Sequence, residues 1–180
     1  CLTLDTVAIG ENKIKPQISV VEPLVLNCTI NQVNVDASGS STGSNYSFKW
    51  TSSDGNILDG SSLNALVDSK GNYNLKITDK TNYCNRDSTI IVLEDRTKPT
   101  VNVGEVNSIL FCQSNSVILD GTKSSSGVRY TPLWTTVDGH IVSGQNTLSP
   151  LVDKKGTYTL TVNDLINTCT STADLLVDEQ

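Results

Sequence analysis

Methionine is missing from all 180 residues, position 1 included, and histidine occurs once. The first absence leads us to expect a processed product or an internal piece of a longer chain. The second argues against zinc, because there is also no Cys-x-x-Cys pair and no histidine beside a cysteine. No apolar run approaches the roughly 18 residues that cross a bilayer, and no signal peptide is recognisable, so direct membrane insertion is not expected. Positive charge is scarce: 13 Lys and Arg stand against 19 Asp and Glu, for a net charge of −6. Nucleic acid and anionic membrane surfaces are therefore poor partners. Only 18% of residues are charged, and the helix formers are not clustered. Ser, Thr, Asn, Gly and Val dominate instead, a mix that favours strands and turns.

What is present is a duplication. VNVDASGSSTGSNYSFKWTSSDGNILDG at 33–60 aligns without a gap on VILDGTKSSSGVRYTPLWTTVDGHIVSG at 117–144. Trp50 meets Trp134, Asp36 meets Asp120, and Asp54-Gly55 meets Asp138-Gly139. After a one-residue insertion, LVDSKGNYNLKITDKTNYC at 66–84 aligns on LVDKKGTYTLTVNDLINTC at 151–169. The opening CLTLDTVAIGENKIKPQISV aligns on CNRDSTIIVLEDRTKPTVNV at 84–103. We therefore expect residues 1–14 to be the last strand and junction of a preceding repeat, 15–98 one full repeat and 99–180 a second. Repeats of this size are small but can each close a core.

Inside each repeat the hydrophobic period is two. Tyr73, Leu75 and Ile77 alternate with polar neighbours, as do Tyr158, Leu160 and Val162. Tyr46, Phe48 and Trp50 form a second such run, and Ile90 with Val92, Leu175 with Val177 and Val7 with Ile9 form the last strand. Alternation broken by frequent turns predicts antiparallel sheets buried on one face. The Asp-Gly pairs predict hairpins. Pro132, standing where the first repeat has Phe48, predicts a strand that starts late or lies at a sheet edge.

Four features taken together carry a family resemblance. They are Asp-Ala-Ser-Gly-Ser after a short strand, a Trp strand a dozen residues on, Gly-x-Tyr-x-Leu-x-Ile-x-Asp, and a last strand running into Lys-Pro. The chain resembles the polycystic-kidney-disease-type (PKD-like) and immunoglobulin-like repeats of large bacterial surface proteins. Its cysteines before Val33 and after Asp79 resemble those in repeats of Bacteroidota adhesins and gliding-motility proteins exported by the type IX system. It lacks the Trp-x-Phe-Gly-Asp-Gly stretch of the commonest such repeat; Thr51-Ser52-Ser53-Asp54-Gly55 and Thr135-Thr136-Val137-Asp138-Gly139 stand there. The resemblance implies an all-β fold of tandem antiparallel immunoglobulin-like/PKD-like β-sandwiches, and an extracellular, cell-surface setting. On that fold Trp50 and Trp134 are core anchors and Tyr73 and Tyr158 sit at a tyrosine-corner position.

The five cysteines, Cys1, Cys28, Cys84, Cys112 and Cys169, are expected to form structural disulfides, with Cys1 the counterpart of Cys84 and Cys169. Pairing within a repeat would join Cys28 to Cys84 and Cys112 to Cys169. Strand order slightly favours Cys28 with Cys169 between repeats. The first turn and last hairpin of one sandwich lie roughly 20 Å apart, a strand length, whereas bridged Cα atoms lie within about 7 Å. Both pairings stay open at this point.

Other positions carry weaker expectations. Glu94 and Asp95, with Glu11, Asn12 and Glu179 as counterparts, are calcium candidates, although Arg96 and Lys98 stand beside them and no Asp-x-Asp-x-Asp-Gly loop exists. No other cofactor is expected. Asp5-Thr6-Val7 and Asp87-Ser88-Thr89 resemble the short O-glycan motif of Bacteroidota surface proteins, making Thr6 and Ser88 glycosylation candidates. Asn27-Cys28-Thr29 and Asn45-Tyr46-Ser47 fit the N-glycan sequon. His140 is alone in a turn, with Asn56 as its counterpart, and no acid, base or nucleophile is duplicated, so no enzyme is expected. Asp36 and Asp120 are read as turn formers. The expected function is a disulfide-stabilised stalk repeat of a long cell-surface protein or filament. An adhesin module for glycan or protein is the alternative, and an accessory domain of a secreted hydrolase comes third. Expected partners are neighbouring repeats of the same chain, surface polysaccharide, or other filament subunits.

Overall fold

The period-two stretches become strands in the computed structural model, which describes residues 9–104, 108–110 and 115–180. Among these residues there is no helix long and apolar enough to cross a membrane. The chain divides into two compact units. Unit 1 holds the described residues up to Leu26 together with Ile30–Glu94; unit 2 holds Asn27–Thr29 and Asp95–Gln180. Three residues from the first repeat of the sequence thus belong to the second unit.

Unit 1 has β1 (Val33–Val35), β2 (Tyr46–Ser52), β3 (Ile57–Asp59), β4 (Ala65–Val67), β5 (Gly71–Asp79) and β6 (Asn85–Val92). They form two antiparallel sheets, in the orders β1-β4-β3 and β2-β5-β6. Inward residues of both sheets meet in one core that includes Val35, Trp50, Val67, Tyr73, Leu75, Ile77 and Val92. A parallel bridge from Leu26 to Glu94 closes the unit beside β6.

Unit 2 repeats this plan with β7 (Ser108–Leu110), β8 (Val117–Ile118), β9 (Tyr130–Thr136), β10 (His140–Ser143), β11 (Leu151–Lys154), β12 (Gly156–Asp164) and β13 (Thr170–Glu179). Its sheets run β10-β11-β8 and β7-β13-β12-β9, all antiparallel except that β7 lies parallel to β13. The Leu26 bridge of unit 1 is the shortened equivalent of β7. Leu119, Trp134, Val152, Tyr158, Leu160 and Val177 make the core. The architecture is the all-β, tandem immunoglobulin-like sandwich.

Local chemistry explains the turns. The Tyr158 hydroxyl accepts from the His140 N–H (2.9 Å) and donates to the Lys154 carbonyl, locking the Asp138-Gly139 hairpin. Tyr73 does the same with Asn56 and Ser69. Only glycine fits beneath these rings: a Cβ at Gly139 would lie 2.4 Å from the Tyr158 hydroxyl, and one at Gly55 would lie 2.3 Å from that of Tyr73. Trp50 Nε1 donates to the Ser62 carbonyl (3.1 Å). Trp134 Nε1 is buried and has no protein partner.

Of the two outcomes expected at Pro132, the structure shows the second: β9 spans the same positions as β2 and lies at the edge of its sheet, where the proline is accommodated. The expected strand at 1–14 falls largely outside the described residues, Val7 included. Ile9, expected to face inward, is exposed and carries no strand.

Candidate functional site

The cysteine-bearing turns between β5 and β6 and between β12 and β13 share one construction. Asp79 Oδ1 accepts the Thr81 N–H (2.8 Å) and hydroxyl (2.6 Å), and Asp164 Oδ1 accepts the Ile166 N–H (2.9 Å). Each Asp N–H then donates to the carbonyl of the turn's cysteine, Cys84 at 2.8 Å and Cys169 at 2.9 Å. The residue before each cysteine, Tyr83 or Thr168, lies in the left-handed region at φ 59°. Asn82 Oδ1 accepts the Cys84 N–H (2.9 Å), and Asn167 Oδ1 accepts the Cys169 N–H (3.0 Å).

The same asparagines hold the segment that enters each sandwich. Asn82 Nδ2 donates to the Ile14 carbonyl (3.0 Å) and Asn167 Nδ2 to the Thr97 carbonyl (2.9 Å), in both cases just before Lys-Pro. Asn167 Nδ2 also donates to Asp95 Oδ1 (2.9 Å). In unit 2 an arginine is added: Arg129 Nε donates to Asp164 Oδ2 (2.7 Å), and its terminal nitrogen donates to Asp95 Oδ2 (3.1 Å). Burial pushes the Asp164 carboxyl up. The Ile166 N–H, the Arg129 guanidinium and the Asn167 N–H outweigh it and hold the group below the usual carboxylate range. Asn167 and the Thr97 N–H, with help from Arg129, lower Asp95. Asp164 in turn raises Arg129.

Against this turn lies Asn27–Thr29. Cys28 and Cys169 are joined by a disulfide with Cα atoms 5.1 Å apart. The Cys28 N–H points to the Asn167 carbonyl at 3.4 Å, and the Thr29 and Thr168 hydroxyls meet at 2.8 Å. The alternatives Cys28–Cys84 and Cys112–Cys169 are not formed, since each would need a sulfur that the Cys28–Cys169 bond already uses. Cys84 is a half-buried free thiol. Cys1 and Cys112 lie outside the described residues.

Asp95 is not arranged for calcium. Its two oxygens accept from Arg129, Asn167 and Thr97, a donor set that a cation would have to displace. The Glu94 backbone sits in the Leu26 bridge, and among the described residues no three His, Cys, Asp or Glu side chains gather as a metal site. Ser88 is half-buried in β6, and Thr6 lies outside the described residues. Asn27, in the first sequon, is only 8% exposed. His140 pairs with Asp153 (2.6 Å), in the place where Asn56 bonds Asp68 (2.9 Å).

Asp36 and Asp120 each accept a backbone N–H two residues on, at 2.8 and 2.9 Å; the Ser38 N–H lowers the Asp36 carboxyl, and the Thr122 hydroxyl (2.6 Å) followed by the Thr122 N–H lowers that of Asp120. Two serines of each loop that follows bond the leading segment of the same unit, Ser40 and Ser41 in unit 1 and Ser124 and Ser125 in unit 2. Ser40 Oγ bonds both main-chain groups of Ser19, and Ser124 Oγ both of Asn102, so each loop pins the leading segment of its own unit. Sequence reading missed this role and that of the asparagines. The signals were there, since Ser40/Ser124 and Asp-x-x-Asn-x-Cys recur in register. Arg129 left no such signal, because Asn45 is its counterpart.

No known protein family matches the sequence, and no curated protein does. Among solved structures, the chain is similar to the N-terminal eight immunoglobulin domains of Down Syndrome Cell Adhesion Molecule. That likeness has 10% identity and a TM-score of 0.46, and covers 92% of this chain and 25% of that one. It is similar to a C-terminal fragment of intimin crystallised with the intimin-binding domain of its translocated receptor, at 12% identity and TM-score 0.44, covering 87% and 63%. A SusE-like surface located polysaccharide binding protein from Bacteroides thetaiotaomicron matches at 7% identity and TM-score 0.38, covering 91% and 34%. These likenesses assign this chain no ligand and no partner.

Proposed function

We propose that this chain is a stretch of two successive repeats from a long extracellular, cell-surface protein of the Bacteroidota adhesin or gliding-motility kind, and that it acts as a disulfide-stabilised stalk. The observation that carries the reading is the Cys28–Cys169 bond, whose two ends lie in different repeats of the sequence, 141 residues apart. Such a bond gives successive repeats a covalent link besides the main chain, and it persists in an oxidising setting. The duplicated chemistry supports the same reading. The Trp and Tyr cores, the aspartate turns, the serine pins and the asparagine clamps all serve the scaffold and need no cofactor. Non-reducing peptide mapping of the protein from its native source tests it. A linked Cys28–Cys169 peptide is expected; a Cys28–Cys84 peptide would overturn the reading.

A further inference from the structure

The two cysteine-bearing turns are built alike, yet only one is bonded. In unit 2 the turn holds a three-residue segment through the Cys169 sulfur and the Asn167 carbonyl. In unit 1 Cys84 sits in the same frame. Tyr83 has the φ of Thr168, Asn82 Oδ1 caps the Cys84 N–H as Asn167 Oδ1 caps that of Cys169, and Asp79 closes the turn as Asp164 does. The Cys84 thiol is nevertheless free. The unit 2 turn thus shows, within the same molecule, what this arrangement of residues binds. A second observation concerns the side chain before the cysteine. The Thr168 hydroxyl meets the Thr29 hydroxyl at 2.8 Å and Asn27 Oδ1 at 3.4 Å. Tyr83 replaces it with a ring that is 80% exposed. A polar turn such as Asn-Cys-Thr would find no short-stemmed hydroxyl there, whereas an aromatic neighbour would find a ring to pack on.

We propose that the Asp79–Cys84 turn is a second docking site of this type, taking the cysteine-bearing turn of a further repeat as a Cys84 disulfide. The residue before the hairpin cysteine selects which turn is taken. This rests on the stalk reading above. The sequence holds cysteines with two kinds of flank, polar in Asn27-Cys28-Thr29 and aromatic in Phe111-Cys112-Gln113, and Tyr83 selects the aromatic-flanked kind. The bond forms in two exchanges with oxidised glutathione as the oxidant. The free Cys84 thiolate attacks the glutathione disulfide and releases one glutathione thiolate; a turn cysteine thiolate then attacks the Cys84 sulfur of that mixed disulfide, the new S–S bond forms, and the second glutathione leaves as a thiolate that takes up a proton. The two cysteines are oxidised to one disulfide and one glutathione disulfide is reduced to two thiols.

The test uses the full chain with Cys1→Ser and Cys112→Ser, equilibrated in a glutathione redox buffer with either of two peptides, Leu-Phe-Cys-Gln-Ser or Leu-Asn-Cys-Thr-Ile. Intact mass counts the mixed disulfides at Cys84. The Phe-Cys-Gln peptide is expected to displace glutathione at least about tenfold better than the Asn-Cys-Thr peptide does, and Tyr83→Thr is expected to reverse that order. Asn82→Ala should abolish the preference, while Asn82→Asp, which keeps the Oδ1 acceptor, should retain it and shows that the turn still folds. Equal exchange of both peptides with glutathione overturns the proposal. If mapping finds Cys28–Cys169 while Cys84 shows no preference, the docking proposal falls and the stalk reading stands; if mapping finds Cys28–Cys84, both fall.

Discussion

Replacing Cys28 by serine should cost more than removing any single hydrogen bond in this chain. The bond closes a loop spanning 141 residues, and the chain entropy of such a loop is worth about 5 kcal/mol if everything unfolds together. If unit 2 unfolds alone, the freed loop is residues 95–169, about 75 residues, worth about 4.5 kcal/mol. If unit 1 unfolds alone, the loop is residues 30–94, about 65 residues, worth about 4 kcal/mol. Real denatured chains are more compact than the ideal one, so about 2–4 kcal/mol is the expected loss for either unit. The assay follows from the tryptophans, Trp50 in unit 1 and Trp134 in unit 2. Trp50→Phe leaves fluorescence reporting on unit 2 alone, and Trp134→Phe on unit 1 alone. Urea titrations of each, with and without Cys28→Ser, give two separate free energies. Both should fall by a similar amount, because the crosslink restrains whichever unit opens. Cys84→Ser, which breaks no bond, should stay within about 0.5 kcal/mol of the parent. A loss below about 1 kcal/mol in both reporters would refute the entropy argument.

Three further outcomes are expected. Arg129→Ala should make the chain more sensitive to acid. Asp95 and Asp164 have carboxyls lowered on folding, so they contribute stability above the unfolded value of about pH 4 that is lost as pH falls through their folded values. Without the guanidinium this contribution shrinks, and the acid-unfolding midpoint followed by circular dichroism should move to higher pH. Tyr158→Phe leaves the His140 N–H and the Lys154 carbonyl without their partner and should cost about 1–3 kcal/mol in urea. Gly139→Ala drives a Cβ against the Tyr158 ring and the Thr136 hydroxyl, and thermal unfolding should show a loss of about 1–3 kcal/mol.

The sandwich plan was legible because two signals agree. Alternation names the inward face, and duplication repeats the naming, so Trp50, Tyr73 and Val92 are confirmed as core positions by Trp134, Tyr158 and Val177. The aspartates at turns were legible from local chemistry alone. The clamp around Asp95, Arg129, Asp164 and Asn167 was not, because its members come from three separated segments and one of them has no counterpart. The change from Asn45 to Arg129 at one aligned position carries no pattern of its own, yet it places the cation that neutralises a buried carboxylate. The assignment of Asn27–Thr29 to unit 2 was equally hidden, since three residues carry no periodicity.

Pro132 has a consequence for how a string of look-alike repeats folds. β2 and β9 hold the same outer place in their sheets, with Phe48 opposite Ile77 and Pro132 opposite Val162. Neighbouring repeats this similar risk trading strands while they fold. A traded β9 would bring a small ring without an N–H to the spot where Phe48 packs on the unit 1 core. A traded β2 would push a phenyl ring into the site that proline occupies. Divergence at this single outer-strand position therefore disfavours the exchange in both directions and keeps each outer strand matched to its own sandwich.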